Sequence, residues 1–114
     1  MPDDDLPTHN VTFVTPSGHE YVAEEVPEDE YLIVAASRAG LELESRCLQG
    51  WCLTCASKLL DGEIDQSEAR RYFDEDEEAG FILPCSGFPR SDCRILVDQK
   101  EAMEANRDVN DLPY

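Results

Sequence analysis

The sequence predicts a small α+β roll, in which several short β-strands surround one main helix. Three observations support this fold class. The length of 114 residues suits a single domain with one modest core. The N-terminal part alternates apolar and polar side chains on both sides of a turn, and the segment that follows has the clearest helical pattern in the chain.

The first predicted elements are a β-hairpin and the main helix. Residues 11–15 (VTFVT) are β-rich, residues 16–18 (PSG) form a turn, and residues 19–26 (HEYVAEEV) alternate as a second strand. Pro27 and the acids at 28–30 suit a helix N-terminus, where the helix dipole favours negative charge. Gly40 is the predicted stop of this helix, whose apolar face consists of Leu32, Ile33, Ala35, Ala36 and Ala39.

The second half of the chain is predicted to supply the remaining strands and an acidic helical segment. Residues 47–55 lack helical periodicity and are expected to form a loop. Strands are expected at residues 56–60, which end at the Asp61-Gly62 turn, and at residues 81–85 and 93–98. Residues 65–80 are acidic and partly helical, with Asp65 or Ser67 as the helix cap. The polar residues 101–114 are expected to be loosely held.

The charge of the chain limits its partners. With 9 basic and 26 acidic residues the formal charge is −17, which repels nucleic acid and anionic membranes and attracts basic proteins. No apolar run approaches the length of a membrane span, and the start "MPDDDLPTH" does not resemble a secretory signal. The odd number of cysteines, 5, indicates a reducing compartment. We expect the cytoplasm, or the chloroplast stroma if a transit peptide has been removed.

Four of the cysteines form the pattern C-x4-C-x2-C with a distant fourth member: Cys47, Cys52, Cys55 and Cys85. Structural zinc sites usually supply two C-x2-C pairs, and only one such pair is present. A bacterial four-iron site needs C-x2-C-x2-C-x3-C-P, and a Rieske site needs two histidine ligands, whereas His9 and His19 lie in the hairpin. A thioredoxin-like C-x2-C pair would leave two of the four cysteines without a role.

This spacing favours a 2Fe-2S cluster, because it is the plant-type arrangement of ligands for that cofactor. Gly50 has no Cβ, so the loop backbone can approach a cluster closely there. Backbone N–H groups of such a loop would hydrogen-bond the buried sulfur atoms. Structural zinc stays open as the alternative.

The chain resembles the plant and cyanobacterial 2Fe-2S ferredoxins over residues 9–101. "VPEDEYLIVAASRAGLEL" is similar to that family's helix before the cluster loop, and "DGEIDQS" to its turn after the third ligand. "AGFILPCSGFPRSDCRILV" is similar to its fourth-ligand segment. The resemblance implies a β-grasp fold, a ferredoxin-type roll of a mixed sheet with one main helix. The domain would span residues 9–101, with an N-terminal extension at 1–8 and a loosely held tail at 102–114.

The resemblance also implies a function, that of a soluble one-electron carrier rather than an enzyme. One 2Fe-2S cluster per chain would be held by four iron ligands: Cys47, Cys52, Cys55 and Cys85. A monomeric carrier of this family would exchange electrons with basic redox enzymes such as a ferredoxin–NADP reductase. Two rival functions are a regulatory iron–sulfur protein that senses iron or redox state by cluster loss, and a zinc-stabilised interaction module.

Several positions depart from the family's pattern. Four positions beside the ligands differ. The family's Ser before the first ligand and Arg after it are replaced by Arg46 and Leu48. Its small residue before the second ligand is Trp51 here, and its Thr before the fourth is Pro84. The family's aromatic residue near its acidic helix aligns with Arg71, just before Tyr72 and Phe73, and its C-terminal acid aligns with Lys100, beside Glu101. These departures favour a minor, specialised isoform over the main photosynthetic carrier.

An acidic surface is the predicted docking site for a partner. Residues 74–78, together with Glu68, form an acidic group that would attract a basic reductase through complementary charge. The alternative is a solvated acidic surface without a partner. The candidate docking residues are Glu68, Phe73, Asp74, Glu75 and Glu101.

The location or role of four other residues is also predicted. Cys93 is expected to be a small buried side chain in a strand rather than a reactive thiol. Trp51 is expected either to shield the cluster, tune its potential or touch a partner, or simply to pack within its own loop. His9 and His19 are expected at the surface of the hairpin, since no motif surrounds them.

Overall fold

The computed structural model describes residues 7–43, 55–69 and 72–112. The strands in these ranges are β1 (Thr8–Val14), β2 (Glu20–Pro27), β3 (Ser57–Asp61), β4 (Ile64–Asp65), β5 (Phe81–Ile82), β6 (Phe88–Pro89) and β7 (Cys93–Leu96). The helices are α1 (Leu32–Arg38), α2 (Asp74–Glu78) and α3 (Lys100–Val109), and a 3-10 turn spans Pro84–Ser86. None of the described helices has the length and apolar character needed to cross a membrane.

Five of the strands form one mixed sheet in the order β2-β1-β7-β3-β5. β1 pairs antiparallel with β2, as expected for the predicted hairpin, and parallel with β7. β3 pairs antiparallel with both β5 and β7, and β4 and β6 form a separate two-stranded sheet. A mixed sheet that packs around α1 is the β-grasp arrangement, so the predicted fold class is confirmed.

The main core lies between the sheet and α1. β1 contributes Val11 and Phe13, alternate residues on one face of the strand, and neither has exposed surface. α1 contributes Leu32, Ala35 and Ala36, which share one helix face because they are spaced i, i+3 and i+4. The buried face of β1 and the buried face of α1 therefore pack in one cluster, which holds α1 against the sheet.

The acids at 28–30 do not cap α1, so that prediction is wrong. The helix begins at Leu32, and its first turn contains no acidic residue. Glu28 instead pairs with His9, with 2.7 Å between Oε2 and Nε2, and Glu30 pairs with Arg38 at 2.7 Å. A histidine of β1 and an arginine at the end of α1 thus hold these two carboxylates, at positions that precede the helix.

The two histidines differ in exposure. His19 is exposed next to the hairpin turn, as predicted. His9 is largely covered, with 16% of its side chain exposed, because its imidazole lies against the Glu28 carboxylate. The predicted surface position is confirmed for His19, whereas His9 is only partly exposed.

The predicted caps of the acidic segment are also wrong. Asp65 lies in β4, where its Oδ1 accepts a hydrogen bond from the backbone N–H of Ser67 at 2.8 Å. Asp65 therefore stabilises a local turn, which lies well before the start of the helix, and does not cap it. α2 begins at Asp74, and its cap comes from within the helix, since Asp76 Oδ2 accepts the Phe73 N–H at 2.9 Å.

The C-terminal residues through 112 are not loosely held, contrary to the prediction. They form α3, the longest of the described helices, and Met103 and Arg107 have no exposed surface. The segment "KEAMEA" is rich in strong helix formers, and the two buried residues lie on one face at i, i+4 spacing. Residues 1–6 and 113–114 lie outside the described ranges, so the domain limits at 9 and 101 stay a prediction.

Candidate metal centre

Cys55 and Cys85 lie in one buried cluster, although a long acidic segment separates them in the sequence. Their exposed fractions are 3% and 2%, so both sulfur atoms are shielded from solvent. The other buried members of this second core cluster are Ala56, Phe81, Leu83 and Met103. The fold therefore brings two of the four predicted iron ligands to a single water-poor place.

The turn that carries Cys85 is short and fully enclosed. It spans Pro84–Ser86, begins with a proline whose fixed φ suits a helical start, and is closed by the Ser86 N–H donating to the Leu83 carbonyl at 3.1 Å. Immediately after it, the Gly87 carbonyl accepts the backbone N–H of Leu32 at 2.9 Å. The start of α1 is thus attached to the cysteine turn.

Gln66 holds the backbone two residues before Cys85. Its side-chain amide accepts the Leu83 N–H through Oε1 at 2.5 Å and donates through Nε2 to the Leu83 carbonyl at 3.1 Å. Leu83 has no exposed surface, so its N–H needs this acceptor, while its carbonyl is shared between Gln66 and the Ser86 N–H. Gln66 is not among the residues predicted for the site, because nothing in its sequence neighbours indicates that it would meet Leu83.

Gly87 is needed because Gln66 comes so close. A Cβ at Gly87 would lie 2.6 Å from Gln66 Nε2 and 3.3 Å from Leu32 Cδ1. The backbone of Gly87 has φ −110°, which any residue adopts, so close approach is the constraint. A side chain here would displace the amide that supports Leu83.

Cys55 is anchored from the other side of the cluster. Its carbonyl accepts the Ser57 hydroxyl at 3.1 Å, and the next carbonyl, that of Ala56, accepts the N–H of Gln99 at 2.9 Å. The Gln99 carbonyl accepts the Met103 N–H at 2.9 Å, so this anchor continues directly into α3. The chain after Cys55 is therefore attached both to β3 and to the C-terminal helix.

The donor set fits an iron–sulfur cluster. Thiolates are soft ligands that select iron–sulfur clusters and zinc over magnesium or calcium. Cys47 and Cys52 lie outside the described residues, as do Arg46, Leu48, Gly50 and Trp51. Within the described residues no group of three His, Cys, Asp or Glu side chains could hold a metal ion. The part of the site that is described supplies two of the four expected thiolates, both buried.

Cys93 lies apart from this cluster, as predicted for a small buried side chain. It belongs to the main core and starts β7, with 5% exposure. Its thiol donates to the carbonyls of Ser91 at 3.1 Å and Glu63 at 3.4 Å. Burial raises the pKa of the thiol, which keeps it protonated and unreactive.

The predicted docking residues lie mainly on α2 and α3, two helices that pack against each other. Asp74 is exposed and Glu75 is half-buried on α2, and Glu101 is exposed in the first turn of α3. Phe73 is half-buried at the start of α2, with its ring 5.0 Å from Arg107 Cζ. Glu68 lies elsewhere, where its carboxylate accepts the Tyr31 hydroxyl at 2.6 Å.

One acid of α2 is not available to a partner. Asp76 has no exposed surface, and its carboxylate accepts two hydrogen bonds from Arg107, Nε to Oδ1 at 3.2 Å and Nη2 to Oδ2 at 2.9 Å. The four other acids of α2 are exposed or half-buried, namely Asp74, Glu75, Glu77 and Glu78. The acids of α2 thus comprise one buried carboxylate with a structural role, that of Asp76, and four carboxylates that a partner could reach.

Tyr72 connects the acidic helix to the cysteine region. It packs on the cluster that contains Cys55 and Cys85, and its hydroxyl donates to the Phe81 carbonyl at 2.5 Å. Burial raises the pKa of the phenol well above its usual range, and the Glu77 and Asp76 carboxylates raise it further. Arg71, which aligns with the family's aromatic residue, lies outside the described residues.

Comparison with known proteins agrees with this site. The 2Fe-2S iron-sulfur cluster binding domain family matches residues 14–90. The chain is 40% identical to ferredoxin-6, chloroplastic, of Zea mays over 93 residues, which cover 82% of this chain and 59% of the maize protein. It is 36% identical to ferredoxin-2 of Synechococcus sp. over 77 residues, which cover 68% of this chain and 73% of that protein. The chain thus spans little more than half of the maize relative.

A solved structure shows the same architecture. The crystal structure of pectocin M2 superposes with a TM-score of 0.72 and 31% sequence identity, covering 84% of this chain and 34% of that protein. The family match extends over most of the described strands, and it includes the residues from Cys47 to Cys85. The chain therefore belongs to the plant- and cyanobacterial-type 2Fe-2S ferredoxins, electron-transfer proteins that carry one 2Fe-2S cluster.

Proposed function

We propose that this ferredoxin holds its cluster through Cys47, Cys52, Cys55 and Cys85 and exchanges single electrons with a basic redox enzyme. The observation that carries the ligand assignment is the common burial of Cys55 and Cys85 in one cluster of side chains. The two remaining ligands follow from the C-x4-C-x2-C spacing, which is typical of this cofactor.

The chain's own residues determine how such a cofactor would behave. A bound 2Fe-2S cluster supplies a reversible one-electron change of charge. Leu83 and Met103, neither of which is exposed, exclude water from the side of Cys55 and Cys85. Because burial disfavours added negative charge, this packing would lower the reduction potential of a bound cluster.

Replacement of each cysteine by serine tests the ligand assignment. We expect Cys47→Ser, Cys52→Ser, Cys55→Ser and Cys85→Ser to lose the cluster or hold it poorly, because the hydroxyl is a poor iron ligand. Cys93→Ser is the matched control, and it should retain the cluster because its thiol binds only backbone carbonyls among the described groups. Iron and sulfide analysis decides the matter. A fully loaded Cys85→Ser protein would overturn the assignment.

The partner's docking site is proposed on the surface acids of α2, with Glu68, Phe73 and Glu101 as further contacts. Four acids of one short helix remain at least partly exposed, on a chain of formal charge −17, and this arrangement attracts a basic protein surface. A ferredoxin–NADP reductase is one enzyme of this kind. The same charge makes copies of the chain repel one another, so we infer a monomer that does not bind nucleic acid or membranes.

Charge reversal on α2 tests this docking site. In Asp74→Lys with Glu75→Lys, the second-order rate constant for reduction by a ferredoxin–NADP reductase should fall, and added salt should slow the wild type. Reversal of Glu24 and Glu25 on β2 is the matched control, since it changes the net charge equally on exposed residues of another element. Equal slowing in both variants would assign the effect to net charge, and salt-independent wild-type rates would refute docking by charge.

We place this electron transfer in the cytoplasm or the chloroplast stroma. The cysteine ligands need a reducing environment, and the maize relative is named as chloroplastic. Fractionation of cells that express the chain with whatever sequence precedes it would decide between these compartments. Recovery from a secreted or periplasmic fraction would contradict both.

A further inference from the structure

We propose that Arg107 is a positioning residue that fixes the acidic helix α2 relative to Cys55 and Cys85. Its role would be to present the docking carboxylates at a constant place beside the site of electron exchange. This inference rests on the proposed docking function of α2, and it adds a residue that does not itself touch a partner.

The contact between Arg107 and Asp76 has a single geometry. Both side chains have no exposed surface, and the guanidinium meets the carboxylate through two bonds, at 3.2 and 2.9 Å. Paired bonds of this kind fix the orientation of both groups as well as the distance between them. Asp76 Oδ2 also accepts the Phe73 N–H at 2.9 Å, so the same carboxylate holds the first turn of α2.

α3 is in turn fixed to the cysteine cluster. Met103 is a buried member of the cluster that contains Cys55 and Cys85, and the Gln99 N–H donates to the Ala56 carbonyl at 2.9 Å. Met103 and Arg107 are spaced i, i+4 and therefore lie on the same side of the helix. α3 thus connects the cysteine cluster at one turn to α2 at the next turn.

Two further contacts from α3 reach predicted docking residues. The Arg107 guanidinium carbon lies 5.0 Å from the centre of the Phe73 ring, and Asn106 Nδ2 donates to the Glu75 carbonyl at 3.4 Å. α2 has only five residues, which is too short for a helix to be stable by itself in water. Its position therefore depends on tertiary contacts, which come from α3 and from β5.

A buried charge pair suits a positioning role better than a stabilising one. Apolar side chains of similar volume stabilise a core as well as a buried ion pair does, or better. A charge pair, however, tolerates fewer relative positions of the two helices, since any shift leaves a buried charge without its partner. The Arg107–Asp76 pair would therefore fix where the surface acids of α2 stand.

The test is the double variant Asp76→Asn with Arg107→Met. It removes one negative and one positive charge, so the net charge stays at −17 and long-range attraction to a partner is preserved. The matched control is Lys100→Met with Asp108→Asn, which makes the same kinds of change at exposed positions of α3. Both are compared with the wild type after normalisation to iron content.

We expect the second-order rate constant for reduction by a ferredoxin–NADP reductase to fall by about fivefold or more in the double variant. The rate should also depend less on ionic strength, while the control behaves like the wild type. The reduction potential is measured alongside, because a general loosening of the cysteine cluster would shift it. A slower rate with an unchanged potential supports the positioning role.

Amide hydrogen exchange gives a second, independent measurement. The Phe73 N–H, which Asp76 accepts, should exchange faster in the double variant than in the control. If the double variant does not load its cluster, the same measurements are made on Arg107→Lys, which keeps the charge but loses the paired geometry. Unchanged exchange, or unchanged reduction kinetics in a protein that shows salt-dependent docking, would overturn the inference. Salt-independent wild-type kinetics would instead refute the proposed docking function, and exchange at Phe73 would still test the role of Arg107.

Discussion

Replacement of Gln66 by alanine should weaken the cysteine site from a position that carries no ligand. The substitution removes the partner of the Leu83 N–H and one of the donors to the Leu83 carbonyl, two residues before Cys85. A buried backbone group without a partner costs about 1–3 kcal/mol. The Leu83 carbonyl keeps the Ser86 N–H as a partner at 3.1 Å, so the Leu83 N–H carries most of the cost, and we expect about 1–3 kcal/mol.

Cluster loss is the appropriate assay, because a protein with a bound metal cluster does not unfold in a simple two-state manner. The loss of visible absorbance at a fixed urea concentration gives a first-order rate constant. Since about 1.4 kcal/mol corresponds to a tenfold change in rate, Gln66→Ala should lose its cluster about fivefold faster than the wild type or more. Gln66→Glu keeps the acceptor for the Leu83 N–H but loses the donor to its carbonyl, and should fall between the two.

Gln99→Ala is the matched control for this prediction. It truncates another glutamine whose side-chain amide donates to a backbone carbonyl, that of Val97 at 3.1 Å. Its backbone N–H, which binds the Ala56 carbonyl, is unaffected by the substitution. If Gln66→Ala and Gln99→Ala lost the cluster at the same rate, the support of the Cys85 turn by Gln66 would be refuted.

Three further predictions follow from the structure and the sequence. Gly87→Ala should displace the Gln66 amide and cost about 1–3 kcal/mol, seen as faster cluster loss; an unchanged rate would contradict the crowding argument. Because burial raises the pKa of Tyr72, its contribution to stability is complete below about pH 10 and is lost as the pH rises further. Tyr72→Phe should therefore be less stable than the wild type at pH 8 and lose less stability by pH 11, and equal alkaline sensitivity of the two proteins in thermal unfolding would argue against this. The sequence around the ligands predicts a reduction potential below about −400 mV. In voltammetry Trp51→Ala and Leu48→Arg should both raise it, whereas a downward shift in Trp51→Ala would indicate that other loop interactions control it.

The sequence by itself determined the features that depend on short-range patterns. The hairpin follows from alternating side chains around a turn and lies where expected. The apolar spacing also predicts α1 correctly, although the helix begins later than expected, at Leu32. The type of cofactor follows from the spacing of the cysteines, since a metal cluster dictates the distance between its ligands along a loop. Cys93 was separated from the other cysteines for the same reason.

Only the tertiary structure decided the features that depend on which residues meet across the chain. No local pattern indicates that Gln66 would support Leu83, or that Arg107 would withdraw Asp76 from the acidic surface. The acids at 28–30 match a capping pattern, yet the side chains of His9 and Arg38 bind two of them. The tail was expected to be loose because it is polar, but burial of Met103 and pairing of Arg107 hold it as a helix. Helix propensity and capping are weak energies, and packing contacts between distant segments outweigh them.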